Sequence, residues 1–306
     1  MSSGARVQTA YAIQANKDVK PTTGWAVLAN SSNGLNNSMT LTDSELVTGG
    51  RIKQSGMVTG GEVTGDIASE LMFGAFDDLL AGAFWSDWVN GVDPVPDTLE
   101  VGTDRTMFAI TKDFQDISVY HYFSGCHVST LNLEVNTDAI ASITFGFMGL
   151  GYKHSKTASF AVSPSPAVQG KKASGLSIGT ILIDGTDVGV CVEAFSFSLD
   201  NQAEIQKCLG DNKYGGNVLA MIASITGSMT IAYSQKAHDI LSSQIDGTTM
   251  SLEIPIEFSA TEKYVLKIPK FQVSGDIPAP SGTEKVTAEV SYTVVDESPV
   301  LERHGA

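Results

Sequence analysis

Residues 60–69 read GGEVTGDIAS, and how they are read decides the fold. Gly60 and Gly65 have the spacing of a phosphate-binding loop, G-x-x-x-x-G-K-[ST], whose next two positions supply a lysine for the phosphates and a hydroxyl for the metal. Here those positions hold Asp66 and Ile67, and a carboxylate aimed at a phosphate repels it. The stretch is better explained as a β-strand running toward a helix. Glu62, Thr64 and Asp66 then share one strand face with Val58 and Gly60, and the glycines mark close packing between strands.

The bulk composition agrees with a β-rich protein. Of 306 residues, 42% are apolar and 17% charged, which leaves Ser, Thr, Asn and Gly to make much of the surface. The length suits two domains of ordinary size. The N-terminus lacks a basic segment followed by an apolar run, and no stretch approaches the ~18 consecutive apolar residues of a membrane span. A soluble protein made in the cytoplasm, without a membrane partner, is expected. Cys126, Cys191 and Cys208 are far apart and lack zinc-site spacing, so free thiols are expected. The net charge is −15 and both halves are acidic. Such a chain does not grip nucleic acid by its phosphates, because that binding rests on Lys and Arg displacing counterions.

Outward from residues 60–69, period-2 alternation dominates. In 220–234, AMIASITGSMTIAYS, Ile222, Ser224, Thr226, Ser228 and Thr230 fall on one face. Met221, Ala223, Ile225, Met229, Ile231 and Tyr233 fall on the other. In 251–258 the inward residues are Leu252, Ile254, Ile256 and Phe258, with Pro255 predicting an edge or a bulge. In 284–295 they are Val286, Ala288, Val290, Tyr292 and Val294. These are antiparallel strands with one wet face each. Two amphipathic helices are predicted, over 69–84 with Ser69 as N-cap and over 234–244 with Ser234 as N-cap, the second ended by Asp246-Gly247.

The order of elements recurs. A polar loop, 43–56, leads into the strand of 57–68 and the first helix; a second polar loop, 200–217, leads into the strand of 218–234 and the second helix. Residues 105–116 then parallel 263–274. An internal duplication is expected, with one unit over 1–157, a linker over 158–174 rich in Ser-Pro pairs, and a second unit over 175–306.

This arrangement resembles the major tail tube proteins of long-tailed bacteriophages. The resemblance is carried by GEVTGDIASELMFGAFDDLL (61–80), FAITKDFQD (108–116) and GCHVSTLNLEVNTDAIASITFGFMGLGY (125–152), the last holding a hairpin around 136–139, and by pattern it covers residues 7–295. It implies a mainly β fold of two tandem β-sandwich or barrel units, each with one outer helix and a sheet contributed to a channel wall. It also implies a virion tail protein that assembles with itself. A duplicated chain would form a ring of three with pseudo-six-fold symmetry, stacked into a tube and meeting tail tip, tape measure and terminator proteins. Double-stranded DNA would pass without specific binding. Residues expected to face the channel are Glu62, Thr64, Asp66, Ser224, Thr226, Ser228 and Thr230. Loops expected to reach the next ring carry Asp43, Glu45, Arg51 and Lys53 in the first unit and Asp200, Glu204, Lys207, Asp211 and Lys213 in the second. The acidic segment 86–105 has no twin in the second half.

Rival chemistries are weaker. Cys126 and His127 are neighbours on a strand and point to opposite faces, which argues against a shared metal. Asp77 and Asp78 suggest a glycosidase pair but are placed on the solvated side of a helix, as surface charge. Trp85 and Trp88 could stack on sugars, yet packing or a subunit contact suits them better. Gly-x-Ser-x-Gly is absent. No catalytic residue or cofactor is expected, and the alternative to a tube is a β-sandwich adhesin or carbohydrate-binding module of a virion.

Overall fold

The computed structural model describes residues 2–92, 94–280, 282–283 and 285–305. Twenty strands and two α-helices occur among them. The first half holds β1 (Val7–Ile13), β2 (Ala26–Val27), β3 (Ser32–Asn33), β4 (Asn36–Thr42), β5 (Met57–Glu70), α1 (Asp77–Phe84), β6 (Asp97–Glu100), β7 (Phe108–Phe114), β8 (Val119–Asn136), β9 (Ser142–Gly149) and β10 (Gly151–Ser155). The second holds β11 (Leu182–Ile183), β12 (Thr186–Asp187), β13 (Val192–Asp200), β14 (Glu204–Gln206), β15 (Asn217–Leu219), β16 (Ser224–Ala232), α2 (Gln235–Asp246), β17 (Met250–Glu257), β18 (Lys263–Ser274), β19 (Thr287–Val294) and β20 (Val300–His304). The fold is mainly β, and the named pairings are antiparallel.

Eight strands form one wall in the order β4-β5-β9-β8-β13-β16-β19-β18, with β3 continuing the line of β4 along β5. Two long members, β8 and β18, leave the wall at their N-terminal ends to enter second layers. There the orders are β1-β7-β8-β10 and β11-β17-β18-β20. The same pairing order therefore occurs twice, β4-β5-β9-β8 beside β13-β16-β19-β18. Even the β-bulge recurs: Phe108↔Cys126 is followed by Ile110↔Phe123, and Met250↔Phe271 by Leu252↔Ile268. By pairing, the counterpart of Lys263–Ser274 is Val119–Asn136 and not 105–116, whose β7 takes the place of β17.

Both helices pack on these long strands, α1 on β8 and α2 on β18. Apolar residues of the two halves meet in one core, where Leu71, Leu80 and Phe84 share an interior with Phe197, Tyr264 and Leu301. The halves also interlock through β6, which pairs with β20. Segment 158–174 is irregular but pinned, with bridges from Ser165 to Ala26, Lys172 to Met72 and Ser174 to Ile140, and with Phe160 stacked on Tyr122.

The strands at 224–232, 250–257 and 287–294 alternate as predicted, with Ile225, Met229, Ile231, Leu252, Ile254, Ile256, Ala288, Val290 and Tyr292 buried, but residues 220–223, predicted as part of the first of these strands, are irregular and leave Met221 and Ile222 exposed. Glu284, at the head of the last predicted strand, lies outside the described residues, as does Asp93 of the acidic segment. Pro255 lies beyond the two residues of β17 that β11 covers, so its missing N–H breaks no ladder on that side. The second helix starts where predicted: the Ser234 hydroxyl accepts the Ala237 N–H, and Gly247 closes the helix in the left-handed region. The first helix is shorter than predicted. Residues 60–69 stay in strand, because β5 remains paired with β9 as far as Glu70↔Ser142, and Gly74 at φ +68° turns the chain before α1 begins at Asp77. Ser69 caps nothing; it is buried in β5, and its hydroxyl donates to the Ala29 carbonyl at 2.9 Å.

Candidate functional site

Register places the polar side chains of the eight-strand wall on one surface, since residues opposite each other across a ladder share a face. Rows run across it from strand to strand. Asp66 stands opposite Gly146, then Thr130, Asp200 and Ser224; Thr144 leads through Asn132, Ser198 and Thr226 to Thr293; Glu70 leads through Ser142, Glu134, Ser196 and Ser228 to Ser291 and Ser274. Thr230 sits between Ala194 and Glu289. Glu62, Thr64, Asp66 and Thr226 are exposed, and Ser224, Ser228 and Thr230 are half-buried. The seven residues singled out in the sequence thus lie on one side of one sheet. Hydroxyls and carboxamides tie the rows together: Ser198 Oγ donates to Asn132 Oδ1 at 2.7 Å, and Ser196 and Ser228 share a hydrogen bond of 3.0 Å. The charged side chains on these rows are carboxylates. Cations reach them from outside the strands, Lys172 onto Glu70 and Lys207 to within 3.9 Å of Glu62. The opposite face of the wall is core, with Val63, Ile67, Phe145, Phe197 and Met229 buried against the helices.

The glycines of GGEVTGDIAS serve this packing. A Cβ at Gly65 would stand 2.4 Å from the Gly34 carbonyl oxygen, and the residue's φ of +145° suits glycine. A Cβ at Gly61 would stand 2.9 Å from the Tyr214 ring. Gly60 has no neighbour closer than 3.9 Å, so the phosphate-loop spacing is coincidental.

The two loops differ. The loop of 43–56 stands off the body and exposes Leu46 at 75%, Val47 at 92% and Ile52 at 86%, with Leu41 and Met57 exposed at its base. Asp43, Glu45, Arg51 and Lys53 are exposed, and Lys53 pairs with Asp43 at 2.6 Å. The loop of 201–223 instead folds over the first half, stiffened by the β14–β15 hairpin. Tyr214 is buried, its hydroxyl donates to Asn37 Oδ1 at 2.7 Å, the Gly61 N–H donates to the Lys213 carbonyl at 2.8 Å, and Arg105 donates to the Val218 carbonyl. Glu204, Lys207, Asp211 and Lys213 remain exposed on its outer side, while Asp200 is half-buried at its root.

Several side chains decide between the alternatives of their sequence reading or depart from it. Trp85 is 3% exposed and its Nε1 donates to the Val128 carbonyl, so it packs the core and offers no surface to a subunit. Trp88 is half-buried beneath the Arg303 guanidinium, 4.8 Å from the ring centre. Asp77 is not ordinary surface charge. It accepts from Arg303 at 2.5 Å and from the Tyr264 hydroxyl at 3.0 Å, tying α1 to β18 and β20. Arg303 also holds Asp97 through two nitrogens, and this keeps the Asp97 carboxyl below the usual carboxylate range. Sequence spacing gave no signal for that cluster, whose members are 20 and 226 residues from Asp77. Cys126 and His127 are both buried. Burial raises the Cys126 thiol, and burial with the Arg105 charge nearby lowers His127 to about 4. Among the described residues no group of three or more His, Cys, Asp or Glu is placed to hold a metal, and no helix is long and apolar enough to cross a membrane.

A family model describing phage tail tube proteins matches residues 4–294, and the chain belongs to that family. No curated protein matches it.

Proposed function

We propose that this phage tail tube protein builds stacked rings of three chains whose lumen is lined by the polar face of the eight-strand wall. Each chain would contribute two tube units, over 1–157 and 175–306, joined by the strap of 158–174, so that three chains present six wall segments. One observation carries the reading: the wall is a single sheet with hydroxyls and carboxylates on one side and a helix-covered core on the other. A tube wall needs that two-sidedness, because water and DNA fill one side while the other is packed. The doubled strand order supports two units per chain, and the exposed apolar loop of 43–56 supports a contact to the next ring. The exposed outer side of the second loop would make the matching contact.

DNA carries one negative charge per ~1.7 Å of its axis, so a lining of carboxylates and hydroxyls lets it pass where a basic lining would hold it. Tail tip, tape measure and terminator proteins would bound the stack. An adhesin or sugar-binding role gains no support from the tryptophans, since Trp85 is buried and Trp88 is covered by Arg303. Negative-stain microscopy of the purified protein, with mass measurement of isolated rings, tests the proposal. Hollow rings or tubes with three chains per ring are expected; discrete globular particles would refute the tube, and six chains per ring would refute the two-unit reading.

A further inference from the structure

The chain contains one complete junction between wall segments, the β8–β13 ladder, and it leaves the two halves of a second such junction open at opposite ends of the wall. Pairing partners define the correspondence. Cys126 and Phe271 occupy the same place at the repeated bulge, and the rows beyond them match: Asp66-Gly146-Thr130 in the first half, Ser228-Ser291-Ser274 in the second. Counting on from Thr130 and Ser274, Gly275, Ile277 and Ala279 take the places of Leu131, Leu133 and Val135. Through β5 and β16, residues 32–38 take the places of 194–200. Leu131, Leu133 and Val135 are paired with β13 and buried. Residues 275–280 are unpaired with any strand, and Ile277 is 70% exposed.

The backbone directions agree. Bonds from the Thr137 N–H to the Glu193 carbonyl and from the Asn201 N–H to the Ser129 carbonyl flank the β8–β13 ladder. Alternation along an antiparallel strand therefore turns the groups of Leu131, Leu133 and Val135 toward β13. Their counterparts Gly275, Ile277 and Ala279 all keep an N–H, whereas Pro278 and Pro280 fall on the intervening positions. On the other edge the Gly34 N–H bonds back to Asp66, so Asn33, Leu35 and Asn37 face outward. Side chains cap both edges in the single chain. Lys112 Nζ donates to the Asn33 carbonyl at 2.7 Å and the Leu35 carbonyl at 3.4 Å, the Asn33 carboxamide accepts the Leu35 N–H, and the Gln244 carboxamide holds both groups of Gly275.

We infer that residues 274–280 of one copy add as a strand to residues 32–38 of a second copy, in the register of the internal junction. Phe197↔Leu133 sets Leu35 opposite Ile277, Ser198↔Asn132 sets Asn36 opposite Asp276, and Asp200↔Thr130 sets Ser38 opposite Ser274. The contact covers Ile277 with the next copy's Leu35 and displaces Lys112 and Gln244 from the backbone groups they cap. This inference rests on the proposed ring but goes beyond it, because it fixes which edge meets which and in what register.

Hydrogen exchange on the unaltered protein tests it without mutation. The amides of Ile277, Ala279, Leu35 and Asn37 should exchange at least about tenfold more slowly in tubes than in single chains. Asn36→Cys with Asp276→Cys, in a chain whose exposed Cys191 and Cys208 are replaced by serine, should give covalent trimers on mild oxidation of tubes. Asn36→Cys with Ala279→Cys should not. Tubes that form with those amides unprotected, or that cross-link only through the second pair, would overturn the register while leaving the tube intact. Failure of the unaltered protein to form rings or tubes would overturn both.

Discussion

At the scale of single residues, the glycines of GGEVTGDIAS separate into those that packing demands and one it does not. Gly65→Ala puts a methyl into the Gly34 backbone at a φ that L residues avoid, and it should cost on the order of 3 kcal/mol in denaturant unfolding. Gly60→Ala has room and should cost less than about 1 kcal/mol. That a glycine was needed somewhere here was legible in the sequence; which one was not, because the partner, Gly34, lies between β3 and β4 and is placed against β5 only by the fold. His127 is a second such residue. Its pKa falls from the ordinary 6.5 to about 4, first through burial and then through Arg105. A neutral buried His is at full strength above pH 6.5, and between about 6.5 and 4 the unfolded chain binds the proton the folded chain refuses. Stability should therefore fall by about 3 kcal/mol across that window as pH drops. Urea unfolding of wild type and His127→Gln from pH 7 to pH 4 checks this; the variant should lose less stability over the window, and equal losses would remove His127 as the cause.

At the scale of elements, strands and the second helix were legible because period-2 alternation and the Ser234 and Gly247 caps are local signals. The first helix was misplaced by eight residues at its start. Leu71, Met72 and Phe76 keep helical spacing, but Met72 bridges to Lys172 and β5 holds its ladder to β9 as far as Glu70, so tertiary pairing overrides the local pattern. The pairing of β6 with β20 and the Arg303–Asp77–Asp97 cluster had no sequence signal, since both depend on contacts across most of the chain. The loops looked alike in sequence as long polar connections, yet Tyr214 anchors one to the body while the other projects. Free loops of this length add little closure entropy, and exposed Leu46, Val47 and Ile52 have no partner within the described chain, which fits a surface kept for contact. Deleting residues 48–53 removes the exposed Lys53–Asp43 pair, itself worth little in water. The truncated subunit should unfold within about 1 kcal/mol of wild type by the same assay yet form no tubes by microscopy. Normal tubes from it would show that the loop does not join rings.

At the scale of the whole molecule, the acidic balance visible in the sequence acquires a location. Carboxylates of Glu62, Asp66, Glu134, Asp200 and Glu289 stand on the same wall face as the hydroxyl rows, while Lys112 and Arg303 are used at the edge and in the core of the fold. Net charge alone would have allowed an acidic exterior. The placement matters because attraction to DNA depends on cations within reach of its phosphates, and screening shortens that reach from ~10 Å at 0.1 M salt to ~3 Å at 1 M. Glu62→Lys, Asp66→Lys and Thr226→Lys together add three cations per chain on strand positions that face away from the core, so subunits should fold and tubes should assemble. In a phage carrying that variant, genome ejection measured by dye release should slow by about tenfold or more at low salt and recover as salt rises, because on the proposed lining the new cations would meet DNA phosphates, and such contacts weaken with screening. Assembly defects in the triple variant would confuse the readout, so Thr226→Lys alone, in the ladder between Ser198 and Thr293, serves as the milder case and should show a smaller slowing with the same salt recovery. Ejection at the normal rate in low salt from both variants, in tubes of normal length, would place these residues off the channel and move the lining to the other face of the assembly.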